Sequence, residues 1–397
     1  MLRCHTLGIV SPSSPLPEPP SDPPVSGDCA PGFESVREAF SGNFVERGEV
    51  GAAVTVICHG EVLVDLWGGW SDEARTQPWE RDTLVDFYSV GKAIVATLVL
   101  AAVDRGDLAF DTPIAELWPE FARHGKERFT VADALSHRAA VPAIRAPLTD
   151  DDLFDWDVMT AAIADTEPWW ERGTRHAYHT NTFGHLVGEI ARRVTGQLPG
   201  EAVRPIADGL GADVWFGVPT DEQGRCADVI WDSPITEPLD ADGLEGDTLL
   251  NVLASFNPPG YSSVGVVNTA RWRGAQVPAA GGHGSARGIA RFYAGLLEPE
   301  QVLSASLLQT VTQPASSGPC PILGEDVVFG LGFMPTTERR PFGPNPGSFG
   351  HFGTGGAVGF ADPVSGIAFG YAMNHVRPRW QSSRNRALID TLYAALH

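Results

Sequence analysis

Phe87-Tyr88-Ser89-Val90-Gly91-Lys92, running straight into the apolar stretch Ala93 to Val103, decides the fold. In that stretch Ile94, Val95, Leu98, Val99 and Leu100 leave no face for water, and Gly106 supplies a stop, so the pattern predicts a helix buried on every side. Ser89 stands at its N-terminal end and Lys92 three residues on, which puts both side chains on one helical face. A serine hydroxyl is a weak nucleophile at neutral pH and needs a base to take its proton. Burial disfavours a charged amine, so a lysine here can be neutral and serve as that base. The helix N-terminus adds N–H donors and positive potential for an oxyanion. With two lysines in a chain, a Ser-x-x-Lys pair arises by chance in roughly one chain of seven. What sets this pair apart is that Lys92, the chain's only lysine besides Lys126, heads a wholly apolar helix where a surface residue has no place.

Upstream, Phe33, Val36, Phe40 and Phe44 recur at helical spacing and end near Gly48, while Ala52–Cys58 and Val62–Trp67 are β-branched and apolar runs that read as two strands turned at His59-Gly60. Before them, Ser11 to Pro24 holds seven prolines and four serines, a composition that extends rather than packs. Downstream, roughly Asp111 to Ser233 reads as helices and loops, including Val131–Ser136 and Phe183–Val194. A further helix is expected at Ala286–Leu297, strands at Val327–Met334, Ala357–Ala361 and Ile367–Met373, and a terminal helix through Leu388, Ile389, Leu392 and Leu396. Asp362-Pro363-Val364-Ser365-Gly366 has the residues of a turn between the last strands. The reading is an α/β part interrupted by an all-helical part: 1–30 a flexible tail, 31–88 and 260–397 an antiparallel sheet flanked by N- and C-terminal helices, and 89–259 mainly helical, with the active site at the junction.

Composition removes whole classes of function. The 28 Lys+Arg against 49 Asp+Glu leave a net charge of −21, and without a basic cluster such a chain repels nucleic acid and anionic membranes. No apolar run approaches the roughly 20 residues of a membrane span, and Leu7 to Val10 is too brief for a secretory signal, so the expected location is the cytoplasm. The five cysteines, Cys4, Cys29, Cys58, Cys226 and Cys320, are scattered and read as free thiols. There is no Gly-x-Ser-x-Gly elbow and no His-Glu-x-x-His motif, and His176 with His179 lacks a third ligand, so neither a metal nor another cofactor is expected.

Two further segments carry polar chemistry. In Arg175-His176-Ala177-Tyr178-His179-Thr180-Asn181, a tyrosinate at Tyr178 near Lys92 could relay the serine proton. His351-Phe352-Gly353-Thr354-Gly355-Gly356 is glycine-rich and leads into a strand, where small residues let backbone approach a ligand and a strand N–H can serve as an oxyanion donor. Trp169, Trp170, Trp215 and Trp231 are candidates to line a pocket.

Taken together, these segments resemble the serine β-lactamase and penicillin-binding-protein superfamily, in particular class C β-lactamases, family VIII carboxylesterases and the branch that includes lovastatin-type acyltransferases. The likeness runs from about Gly32 to the C-terminus and includes Gly48-Glu49-Val50-Gly51-Ala52, Asp65-Leu66-Trp67-Gly68-Gly69, Tyr178-His179, Leu186-Val187-Gly188-Glu189 and Gly359-Phe360-Ala361-Asp362-Pro363. It implies a β-lactamase/transpeptidase-like fold, with Ser89 the acylated nucleophile, Lys92 its base partner, Tyr178 the third catalytic group, and the N–H groups of Ser89 and Thr354 the oxyanion hole. His351-Phe352-Gly353 aligns with the family's Lys-Thr-Gly, whose lysine holds a substrate carboxylate; its absence implies a substrate with no obligatory carboxylate there. Thr180 stands where asparagine is usual, with Asn181 one residue on, and Gly91 and Gly281 replace the commoner threonine and asparagine. The resemblance implies a carboxylic ester hydrolase acting on a small-molecule ester or thioester. The alternative is a transacylase passing the same acyl group to an alcohol or amine on a natural product. A β-lactamase, a D-Ala-D-Ala peptidase and a non-catalytic penicillin-binding-like module rank below these, since retention of Ser89, Lys92 and Tyr178 has no use in a pure binder.

Overall fold

The computed structural model describes residues 25–232, 240–262, 266–377 and 380–396. Its centre is a seven-stranded antiparallel sheet built from β1 (Val25–Cys29), β2 (Gly51–Cys58), β3 (Glu61–Gly69), β4 (Met334–Pro335), β5 (Phe349–Phe352), β6 (Val358–Asp362) and β7 (Ile367–Met373), in the order β1-β3-β2-β7-β6-β5-β4. The two ends of the chain therefore meet in mid-sheet, where β7 pairs with β2 from Ile367↔Cys58 to Met373↔Ala52. The β2–β3 hairpin turns at His59 and Gly60, both with positive φ, the geometry that matches strand twist. Asp362 makes the last turn by accepting the N–H groups of Val364 and Ser365 at 3.0 and 3.3 Å. This antiparallel sheet with helices packed on it is the mixed α/β architecture expected from the sequence.

Helix α1 (Glu34–Glu46) packs on β1, β3 and the terminal helix α5 (Ser383–Ala395). Helix α4 (Ala286–Leu297) lies across β2, β6 and β7, and glycines make the approach possible: a Cβ on Gly370 would stand 2.2 Å from the Ala286 carbonyl oxygen. A buried polar knot ties the termini together. Arg384 of α5 donates to Glu49 at 2.9 Å and to the His375 carbonyl at 2.9 Å, and Tyr371 donates to the same Glu49.

Helix α2 (Gly91–Asp104) is buried along nearly its whole length and packs against α3 (Thr182–Thr195), which ends at left-handed Gly196. Around this pair stand shorter helices, among them Trp156–Asp165, Pro199–Leu210 and Gly246–Phe256. Lys126, the second lysine, is fully buried here and donates to the carbonyls of Arg123, Ala164 and Thr166 at 2.9, 3.0 and 2.6 Å, a structural post rather than a surface charge.

Two expected boundaries differ. Folded structure begins ahead of Pro31, because β1 pairs along β3 from Val25↔Gly68 to Cys29↔Val64; its stability comes from ladder hydrogen bonds rather than apolar alternation, which left no sequence signal. The expected strand Val327–Met334 is two strands. Glu325–Phe329 pairs with Ser316–Cys320 outside the main sheet, and Gly330-Leu331-Gly332, with Gly332 at φ +88, turns the chain into β4. The Ser11–Pro24 segment lies outside the described residues.

Candidate active site

Ser89 occupies a single 3-10 turn, Tyr88–Val90, that opens into α2. The turn is fed by the short strand Val85–Asp86, paired with His283–Gly284, so sheet-like pairing fixes the chain just before the nucleophile candidate. Lys92 Nζ lies 2.8 Å from Ser89 Oγ, 2.5 Å from the Thr180 carbonyl and 3.0 Å from the Ala279 carbonyl. The amine is fully buried, and that burial alone pushes its pKa well below the usual lysine range. A neutral amine fits these partners: two N–H bonds donate to the two carbonyls and the lone pair faces the Ser89 hydroxyl.

Tyr178 closes the third side, with its ring centroid 4.8 Å from Lys92 Nζ. Its hydroxyl is buried and makes no hydrogen bond among the described residues. Burial pushes the phenol above its ordinary range, against the weaker pull of the Arg340 charge. The tyrosinate expected from sequence is therefore a neutral phenol. Its backbone is held on three successive amides: Ala177 N–H to the His137 carbonyl at 3.2 Å, Tyr178 N–H to Cys320 Sγ at 3.2 Å, and His179 N–H to His137 Nδ1 at 3.0 Å. Its ring stacks on Phe329 at 5.7 Å and meets the edge of Trp380 at 5.1 Å.

His351, at the end of β5, lies 6.2 Å from the Tyr178 ring. Its Nδ1–H donates to the Phe352 carbonyl at 2.6 Å, and burial above all, with the Arg340 charge, holds its pKa down to about 3. It is a neutral side chain and does not replace the cation of a lysine. Gly353 is pressed against the nucleophile turn, since a Cβ there would stand 2.3 Å from the Phe87 carbonyl oxygen. Thr354 follows at the start of the Thr354–Gly356 turn, so this strand end and the head of α2 are in contact.

Other sequence candidates divide. Asn181 points away to the Ala254 carbonyl at 2.7 Å, while it is the Thr180 carbonyl that touches Lys92. Gly91 is explained by the Pro278 carbonyl oxygen, 2.3 Å from where its Cβ would sit; a Cβ on Gly281 would come within 3.2 Å of the Trp272 indole. Trp231 reaches the site, edge-on to Tyr88 at 6.4 Å, and Trp170 stands 6.4 Å from His179. Trp169 and Trp215 instead stack under Arg145 and Arg204. His137, Cys320, Phe329, Arg340 and Trp380 were missed. They come from four separated segments and meet only through tertiary packing around Tyr178, with no spacing to betray them. Cys29, Cys58, Cys226 and Cys320 are free thiols, and Cys4 lies outside the described residues. Among the described residues no group of three or more His, Cys, Asp or Glu side chains could hold a metal ion, and no helix is long and apolar enough to cross a membrane.

A glycine-rich strand end set against a Ser-x-x-Lys helix head, with Tyr178 beside them, is an arrangement that points to the serine proteins of the transpeptidase fold. Residues 36–393 match the family model described as Beta-lactamase, and the chain belongs to that family. It is similar to "Esterase/beta-lactamase LipL" of Mycobacterium tuberculosis, 30% identical over 370 residues that cover 89% of this chain and 83% of that protein. A crystal structure of a family VIII carboxylesterase superposes with a TM-score of 0.85 at 35% identity, covering 94% of this chain and 99% of the other. A penicillin-binding protein homologue from Caulobacter crescentus superposes with a TM-score of 0.84, again at 35% identity and with the same coverage of both chains.

Proposed function

We propose that this protein is a serine carboxylic ester hydrolase that works through an acyl-enzyme on Ser89. The observation that carries the reading is Lys92, fully buried and 2.8 Å from Ser89 Oγ with two carbonyls to take its N–H bonds. Lys92 takes the Ser89 proton as the oxygen attacks the ester carbonyl, and the N–H groups of Ser89 and Thr354 receive the oxyanion. Collapse breaks the C–O bond of the ester, and the leaving alcohol takes a proton from Lys92 through the neutral phenol of Tyr178. Water then attacks the acyl carbonyl while its proton passes through Tyr178 to Lys92; the acyl–Oγ bond breaks, the acid leaves, and Lys92 returns the proton to Ser89. Two features support an ester over a β-lactam or a peptide carboxylate: the neutral His351 in place of a lysine, and the likeness to a family VIII carboxylesterase.

The test is intact-protein mass after exposure to p-nitrophenyl acetate or butyrate, with p-nitrophenol release followed in parallel. An acyl adduct and a burst in the wild type, both missing from Ser89→Ala, are the expected result. Hydrolysis undiminished in Ser89→Ala would sink the mechanism. Turnover that speeds up with added alcohol or amine would convert the reading to a transacylase using the same acyl-enzyme.

A further inference from the structure

We propose that Asp86 is the positioning residue of the nucleophile: its carboxylate clamps the strained backbone of Tyr88 to the indole of Trp272 and thereby sets where Ser89 Oγ points. This deepens the reading above and rests on Ser89 being the acylated group.

Tyr88, the residue immediately before Ser89, has φ +49. For a bulky non-glycine residue that is an outlier, and it persists only where the surroundings over-determine it. The over-determination is visible. Asp86 Oδ1 accepts the Tyr88 N–H at 2.7 Å, and Asp86 Oδ2 accepts the Trp272 Nε1–H at 2.9 Å. Phe87 N–H is fixed to the Gly282 carbonyl at 2.9 Å, and Val90 N–H to the Phe87 carbonyl at 3.2 Å. The carboxyl group is 1% exposed and Trp272 is fully buried, so the clamp works in a dry, low-dielectric interior where each bond is strong.

The chemistry of the clamp needs a carboxylate. Two N–H donors converge on one small side chain, and only Asp offers two acceptor oxygens on so short a stem; Asn has one acceptor and would turn an N–H donor toward another donor. Keeping Asp here is costly, because full burial without a neighbouring cation pushes its pKa up to about 8, so the carboxylate that accepts both bonds is complete only above that pH, where the test below is run. A side chain kept only for packing has cheaper apolar replacements. The costly group stands three residues before Ser89, on the strand that delivers the turn.

The test compares Asp86→Asn, Asp86→Ala, Trp272→Phe and the double variant Asp86→Asn/Trp272→Phe by single-turnover acylation with p-nitrophenyl acetate, with burst amplitude reporting the active fraction. Asp86→Asn is expected to slow acylation by about tenfold at full amplitude, with ester affinity unchanged, since small misplacements of a reacting group act on rate. Removing the indole N–H lets the Asn oxygen face Tyr88, so the double variant should recover most of the loss relative to Trp272→Phe alone. Asp86→Ala should show no such recovery when combined with Trp272→Phe. A double variant no faster than Asp86→Asn, or losses confined to amplitude with a wild-type rate constant, would overturn the clamp. A wild type with no burst at all would remove the acyl-enzyme reading and the clamp with it.

Discussion

Replacing Gly91 by alanine tests whether the contact behind α2 sets the geometry of the lysine base. The added Cβ would stand 2.3 Å from the Pro278 carbonyl oxygen, and real Cβ contacts essentially never fall under 3.0 Å, so the carbonyl must retreat by about 0.7 Å. Nothing flexible is there to absorb this. The helix cannot back away, because Ser89 and Lys92 lie in the same turn and Phe87 and Phe216 each press within 3.1 Å of the same point. The shift passes to Ala279, one peptide on, whose carbonyl stands 3.0 Å from Lys92 Nζ and 3.4 Å from Ser89 Oγ.

A 1 Å error in a catalytic group costs on the order of a hundredfold in rate, so a shift of this size should cost roughly ten- to hundredfold, or about 1.4–2.7 kcal/mol. Overpacking a closed site adds about 1–3 kcal/mol of destabilisation, enough to lower Tm by several degrees. The assay is the acylation rate with p-nitrophenyl acetate beside a thermal melt. Gly209→Ala is the control: nothing lies within 4 Å of its Cβ and the helical backbone suits alanine, so it should stabilise by about 0.4–1 kcal/mol with wild-type rate. Wild-type acylation in Gly91→Ala would refute the argument that the Pro278–Ala279 segment orients Lys92.

Tyr178→Phe keeps the ring stack on Phe329 and removes only a hydroxyl that has no hydrogen bond, so acylation should fall by about 10²–10⁴-fold with Tm unchanged or raised; a stopped-flow burst beside a melt checks both. Arg384→Met leaves Glu49 and the Gly48 and His375 carbonyls without their buried donor and should destabilise by about 3–5 kcal/mol, seen as an earlier urea midpoint. Lys126→Met strands the carbonyls of Arg123, Ala164 and Thr166, none of them a partner of Ser89 or Lys92, and should lower stability by a few kcal/mol, roughly one per lost bond, while the acylation rate of the folded fraction stays at the wild-type value. Asp86 makes a pH prediction. Its folded pKa is raised to about 8, so the stability it contributes is complete below the ordinary carboxylate range and is lost as pH rises toward 8. Denaturation midpoints at pH 5 and pH 8 should therefore fall further in the wild type than in Asp86→Asn/Trp272→Phe, and equal falls would contradict the assignment.

What was legible in the sequence follows from the range of the forces involved. α2 and the β2–β3 hairpin could be read because each is specified by neighbours a few residues apart: an all-apolar run in one case, two left-handed turn residues in the other. β1 could not, because Val25-Ser26-Gly27-Asp28-Cys29 becomes a strand only by pairing with β3 some forty residues on, as Asp28↔Asp65 shows. The site divides the same way. Ser89 and Lys92 are one helical turn apart and announced themselves; Tyr178 and His351 came through the resemblance and the glycines around β5. His137, which holds the amides on both sides of Tyr178, is invisible because it acts through its backbone carbonyl and one ring nitrogen across forty residues.

The charges around Ser89 give the substrate argument its physical basis. Lys92 is driven toward neutrality by burial, Tyr178 stays a phenol, and His351 is neutral with its proton on Nδ1. Among the described residues, the permanent cation Arg340 beside Trp380 is stacked on that ring and already paired with Glu325. A carboxylate entering this site would leave water without meeting a free cation among the described residues, a desolvation cost of several kcal/mol that an uncharged ester does not incur. The same neutrality lets Lys92 accept a proton, because a neighbouring fixed cation would raise the cost of charging it further. Substituting Lys for His351 would put an ammonium beside that base, so it should favour monoesters of dicarboxylic acids over neutral esters. It should also shift the acidic limb of the pH–rate profile, since the added charge lowers the Lys92 pKa and moves that limb to lower pH. An unchanged limb together with unchanged selectivity would show that His351 and Lys92 do not share a field, and the electrostatic argument for uncharged esters would fail with it.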